Sequence, residues 1–151
     1  MPATVSDLDK HLGYWLRFVS NHVSGAFRHR LAGHDVTVAE WVALRSLYTD
    51  APCSLGQLAA QVGVDAGATS RLVERLIQKK LATRKVLPKD RRAVALDLTP
   101  AGRGLVPKLA KEADENDETF FRVLSKADKE HLVRTMKRLV TAHGLTEKPT
   151  D

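Results

Sequence analysis

A mainly α-helical chain with one small β hairpin is the fold class this sequence predicts, and three observations carry it. Apolar residues recur at three- and four-residue steps over most of the 151 residues. Helix-start pairs, a Ser or Thr followed three residues later by an acid or an amide, recur between those stretches. Only the run from Thr83 to Leu98 changes to the alternation of a half-buried strand.

The first helix is expected from about Ser6 to Leu31, where Leu8, Leu12, Trp15, Leu16, Val19, Val23, Phe27 and Leu31 form one apolar stripe. A helix so long cannot bury that stripe against a small domain alone. Thr37 with Glu40 is a capping-box pair, starting a second helix through Trp41, Leu44, Leu47 and Tyr48 until Asp50-Ala51-Pro52 stops it. Ser54 with Gln57 repeats the pair and opens a short helix holding Leu55, Leu58, Ala59 and Val62. Gly63 ends that helix and Asp65 caps the next, which runs from Ala66 to about Lys79 with Leu72, Val73, Leu76 and Ile77 as its apolar side. Thr83 to Leu87 and the alternating Val94, Leu96 and Leu98 make a hairpin around Pro88-Lys89-Asp90-Arg91. Thr99-Pro100 starts a helix from Ala101 into the 110s, with a disturbance expected at Pro107. Ser125 with Asp128 caps a last helix carrying Leu132, Met136, Leu139 and Val140, which Gly144 ends.

Two short helices joined at Gly63, with small Ala59 four residues earlier, have the layout of a helix-turn-helix, because the small side chain lets the second helix cross closely over the first. With the hairpin behind it, the unit is a winged helix-turn-helix between N- and C-terminal helices. Charge separates it from an ordinary helical hairpin. The chain carries a net +6, and between Arg71 and Arg92 there are nine basic residues against only Glu74 and Asp90. That surplus of seven leaves the rest of the chain at −1. A basic surface so concentrated attracts phosphates.

The order of elements resembles the MarR family of bacterial regulators over nearly the whole chain. The most specific match is the wing: Arg84, Pro88, Asp90, Arg92, Leu98, Thr99 and Gly102, in RKVLPKDRRAVALDLTPAGR, look like that family's wing signature and following helix start. Val64 to Leu81, VDAGATSRLVERLIQKKL, resembles its recognition helix. The resemblance implies one domain over residues 1–151, with a DNA-binding lobe at about 36–99 and dimerisation helices at about 6–31 and 100–144. It also implies a homodimer on double-stranded palindromic DNA, recognition helix in the major groove and wing in the minor groove, often released by a small molecule.

A helical wheel of the fourth helix places Gly67, Ser70, Arg71, Glu74 and Gln78 outward, with Thr69 and Arg75 on the flanks. Arg71 can donate a bidentate pair to guanine, Ser70 and Thr69 can bond base edges or phosphate, and Gly67 permits close approach. Arg75, Lys79 and Lys80 suit phosphates, although solvated surface positions are the commoner meaning of the last two. At the wing, Lys89, Arg91 and Arg92 suit a narrow A·T-rich minor groove. The resemblance assigns Arg92 to groove insertion and Asp90 to holding the wing arginines in place; an internal Asp90–Arg92 pair is the alternative. For an effector, His11, Trp15, Phe18, His22 and Trp41 offer aromatic walls with polar tips, suited to a small aromatic acid or phenol. Ordinary packing competes for Trp15, Phe18 and Trp41.

With 43% hydrophobic and 28% charged residues the composition is that of a soluble globular chain, and no apolar run approaches the ~18 residues of a membrane span. The polar stretch Met1 to Lys10 is unlike a secretory signal, and Cys53 is the only cysteine, so a cytoplasmic protein without membrane contact is expected. No metal or cofactor is expected, since His11, His22, His29 and His34 are not spaced three or four apart. The hydrolase, phosphate-loop and metalloprotease motifs are missing, so no catalytic residues are expected. Three function classes stay open: a ligand-responsive, sequence-specific regulator; an architectural protein coating DNA by charge and shape; and a helical module binding an acidic protein.

Overall fold

Six α-helices and one antiparallel hairpin make up the chain in the computed structural model, which describes residues 1, 4–146 and 148–150, with the side chains of residues 91 and 92 outside the description. The helices are α1 Leu12–Ala32, α2 Val38–Asp50, α3 Leu55–Val62, α4 Ala66–Gln78, α5 Pro100–Phe121 and α6 Lys126–Ala142. Strands β1 Ala82–Leu87 and β2 Asp90–Leu98 lie between α4 and α5.

The expected caps form. Thr37 and Glu40 close a full capping box at α2, and Ser54 and Gln57 do so at α3. Asp65 accepts from the Ala68 amide at 2.8 Å, Thr99 from Gly102 at 3.0 Å and Ser125 from Asp128 at 3.1 Å. Each bond satisfies an amide that has no partner within its own helix. Gly63 takes φ +82° at the α3–α4 turn, a left-handed conformation that glycine adopts without a side-chain penalty.

The first helix departs from expectation at its start. Leu8–Lys10 form a separate 3₁₀ turn, and extended His11 interrupts the helix, so α1 begins at Leu12 rather than near Ser6. Local bonds compete with helix there: the Trp15 indole donates to the Asp9 carbonyl at 2.7 Å, and the His11 ring lies 3.1 Å from the Asp7 carbonyl. The fifth helix, by contrast, continues through Pro107 to Phe121. Pro107 removes one amide donor, but Val106 and Leu109 on either side of it are buried and hold the helix to the lobe.

One core fills the lobe, built from Leu44 and Leu47 of α2, Leu58 and Val62 of α3, Val73 and Leu76 of α4, Leu96 of β2 and Leu109 of α5. The inward alternation holds, with Leu96 and Leu98 buried. Cys53 joins the hairpin edge through a bridge to Leu96, its amide donating to the Leu96 carbonyl at 3.1 Å and the reverse bond at 2.8 Å. Burial, and then the Asp50 and Asp97 carboxylates, push the Cys53 thiol up from its ordinary range, which keeps it in the less reactive protonated form.

Outside the lobe the apolar faces stay open. Leu12, Trp15, Leu16, Phe18 and Val19 of α1 and Leu132, Val133, Met136, Leu139 and Val140 of α6 are all exposed in the single chain. A polar cluster joins α1 to α5. Glu112 meets the His34 ring at 3.0 Å and accepts from Arg30 at 3.1 Å, and these bonds, the first above all, hold its carboxyl below the usual range.

Candidate nucleic-acid interface

Helix α4 owes its orientation to its apolar side: Leu72, Val73 and Leu76 are buried, which turns Gly67, Arg71, Glu74 and Gln78 outward. A side chain at Gly67 would stand 3.8 Å from an Arg71 guanidinium nitrogen, so these two share one patch near the helix start. Arg71 is exposed and makes no ion pair among the described residues.

Thr69 does not share that face. It is fully buried, and its hydroxyl donates to the Asp65 carbonyl at 2.9 Å, because its position in the first turn points at the core rather than along the flank. Ser70 is half-buried and lines a groove of about 650 Å³ between the start of α3, α4 and the wing, facing Arg84, Leu87 and Val94.

The other flank of α4 is tied to α2. Glu40 is 1% exposed, and its carboxylate receives Lys79 at 2.9 Å, Arg75 at 3.6 Å and the Thr37 amide at 3.0 Å. Lys79 also donates to the Asp35 carbonyl at 2.6 Å. Lys79 is therefore an internal anchor, whereas the side chain of Arg75 remains 53% exposed. The capping-box pattern identified Glu40 as a helix-start residue; only the packing of α2 on α4 reveals this second role.

At the wing, Lys85, Lys89 and Asp90 are exposed, and Pro88-Lys89 forms the turn, two residues shorter than expected. Val86 pairs with Val94 and Leu87 with Asp90, a register shift that places a bulge in β2 at the tip. The side chains of Arg91 and Arg92, expected at the minor groove, lie outside the described residues. The tip also exposes Val86 and Leu87, apolar residues that charge counting overlooked. Arg84 faces Glu74 at 3.7 Å, while Lys80, Lys85 and Lys89 make no ion pair among the described residues.

The five aromatic and histidine residues grouped for an effector separate into two sets. Trp15, Phe18 and His22 lie along exposed α1, with Phe18 stacked on His22 at 4.7 Å, and His11 is exposed at the start of that helix. Trp41 instead meets Phe27 edge-on at 6.4 Å, since twelve residues of helix put Phe27 about 18 Å from Trp15. Phe27 and Trp41 wall a cavity of about 210 Å³ between α1, α2 and α5, with Val23, Asn116 and Asp117. Among the described residues no helix is long and apolar enough to cross a membrane.

Comparison with known proteins agrees with this arrangement. The family description "MarR family" matches residues 36–94. The transcriptional regulator MhqR of Bacillus subtilis is 31% identical over 110 residues, 70% of this chain and 73% of that protein. SarZ of Staphylococcus haemolyticus, also a transcriptional regulator, is 24% identical over 136 residues, 90% of this chain and 91% of its own length. Among solved structures, BpsR of Bordetella bronchiseptica, whose DNA binding is regulated by 6-hydroxynicotinic acid, superposes with a TM-score of 0.77 at 26% identity, covering 90% of this chain and 97% of that one.

Proposed function

Because this chain belongs to the MarR family of DNA-binding transcriptional regulators, which are not enzymes, we propose that it is a homodimeric repressor of specific palindromic sites, released by a small aromatic ligand. Arg71 carries the DNA half of the proposal: it is exposed beside Gly67 on the outer face of α4, with no ion pair among the described residues to satisfy its donors. In a major groove it reads guanine, while Arg75, Lys89 and the wing residues Arg91 and Arg92 meet phosphates and the minor groove. Two copies related by a two-fold axis read half-sites about 10 bp apart or a multiple of that.

Genomic footprinting tests the class. Discrete short palindromes support it, and broad A·T-rich coverage or no DNA affinity overturns it. On the strongest site, Arg71→Ala is expected to cost about 1–3 kcal/mol, with a much smaller loss on unrelated DNA. Equal losses on both would remove base reading from Arg71.

For the ligand, the cavity at Phe27 and Trp41 fits a small aromatic ring better than the exposed α1 residues do, and BpsR supplies a relative whose effector, 6-hydroxynicotinic acid, shares the hydroxylated heteroaromatic ring though not the charge preferred here. Asp114 and Asp117 on its wall disfavour an anion and favour a neutral phenol or hydroxylated heteroaromatic. In a Trp15→Phe background, such compounds are expected to quench the remaining Trp41 fluorescence and lower operator affinity together. A broad panel that changes neither signal would end the assignment.

A further inference from the structure

We propose that Glu40, outside the DNA-facing surface, is a positioning residue for DNA binding, holding Arg75 as a pre-aimed phosphate clamp. The inference rests on the assignment of α4 to the DNA face.

Three observations support it. Glu40 is a buried carboxylate at the first turn of α2, and two cations, Arg75 in the last turn of α4 and Lys79 just after it, converge on it. Its conformation is over-determined, because the same side chain accepts from the Thr37 amide while its own amide donates to the Thr37 hydroxyl. Lastly, Arg75 approaches through Nε at 3.6 Å, an ion pair rather than a hydrogen bond, and its side chain stays about half exposed.

Arginine has five N–H donors in a planar fork, so a contact made by Nε leaves the terminal amino groups available to a second anion. A phosphate arriving on the exposed side would find the guanidinium already restrained, which reduces the ordering cost of the contact. Lysine is less suited to this, since its ammonium is a strongly hydrated point charge on a flexible stem, and a contact with the carboxylate would not aim a fixed pair of donors at the phosphate. Lys79 and Asp35 complete the local set: Lys79 lies 3.7 Å from the Asp35 carboxylate and 2.9 Å from Glu40, so the second cation is consumed internally and Arg75 alone is turned outward.

The sign of one substitution separates positioning from simple charge. Glu40→Gln removes a negative charge near the DNA face, and Coulomb attraction alone would then tighten binding. Positioning predicts the opposite. The probe is a mixed-sequence duplex of about 30 bp, long enough for a dimer spanning successive turns, titrated by anisotropy over a range of salt. Glu40→Gln is expected to weaken binding about 3- to 10-fold and to cause no further loss when added to Arg75→Ala. Arg75→Lys, which keeps the charge, is expected to lose nearly as much as Arg75→Ala. Arg75→Ala itself should flatten the salt dependence by about 2 units per dimer.

Unchanged or tighter binding by Glu40→Gln, or wild-type binding by Arg75→Lys, overturns the proposal. Should Glu40→Gln fail to fold, Arg75→Lys decides alone. If Arg71→Ala weakens binding at the genomic site while Arg75→Ala has no effect there or on the duplex, the clamp fails and the DNA face stands. If neither variant has an effect, the DNA face itself is wrong.

Discussion

Leu16→Glu combined with Leu139→Glu is expected to leave single chains in solution and to lower operator affinity by about 10²-fold or more. Leu16 is 47% exposed on α1 and Leu139 is 40% exposed on α6, each within an apolar face that has no cover in the single chain. In the proposed homodimer those faces would bury each other, and a carboxylate there would have to be desolvated without a partner. The affinity loss follows from avidity: a dimer places its second lobe at high effective concentration beside the second half-site, and a monomer forfeits that gain. Sedimentation and footprinting check the two parts together. A wild-type chain that sediments as a monomer at micromolar concentration, or a double variant that still dimerises, would remove the dimer from the mechanism.

The second large effect is expected at Gly102. A Cβ there would lie 2.1 Å from the Leu81 carbonyl oxygen and 3.1 Å from its carbon. That carbonyl cannot easily retreat, since it accepts the Thr99 amide at 3.1 Å, and the Thr99 hydroxyl donates to the Lys80 carbonyl at 2.7 Å. The clash therefore falls on the joint between α4, the wing and α5. Gly102→Ala is expected to destabilise the chain by about 3 kcal/mol or more, lowering the melting temperature by roughly 10 °C. Gly104→Ala, two residues along the same helix where nothing lies within 4 Å, is expected to stabilise by about 0.5–1 kcal/mol. Thermal melting of the two variants side by side tests the claim, and similar behaviour would refute it.

The starts of α2 to α6 and the wing are legible because they depend on residues within four positions of one another. Thr37 with Glu40, Ser54 with Gln57 and Thr99 with Pro100 announce their helices whatever surrounds them. What escaped depended on distant packing or on local competition. Thr69 looked like a flank residue on a helical wheel, but the core meets α4 over a wider arc than the Leu72–Leu76 line suggested, and the side chain is buried. His11 reads as one more residue of an amphipathic helix until the Asp7 and Asp9 carbonyls compete for side-chain donors. Trp41 and Trp15 share a chemical kind, and the length of α1 between Trp15 and Phe27 keeps them apart. The weight of Glu40 lies in two cations 35 and 39 residues away, a pairing that no local motif encodes.

Helix α5 begins inside the lobe, where Gly102, Val106 and Leu109 are buried, and ends beyond it, where Asn116 bonds the Val23 carbonyl of α1 at 3.2 Å. At about 1.5 Å per residue its 22 residues make a rod about 33 Å long. A tilt of about 10° at the α1 end, near Asn116, would carry Gly102, about 21 Å away along the helix, through roughly 4 Å, about a third of the width of a major groove. Asn116 also lines the Phe27–Trp41 cavity, close to the pivot of that lever. A guest that spread the cavity by a fraction of an ångström would therefore act with large mechanical advantage, and two such levers swinging in opposite senses would throw a pair of lobes out of step with the turns of the double helix.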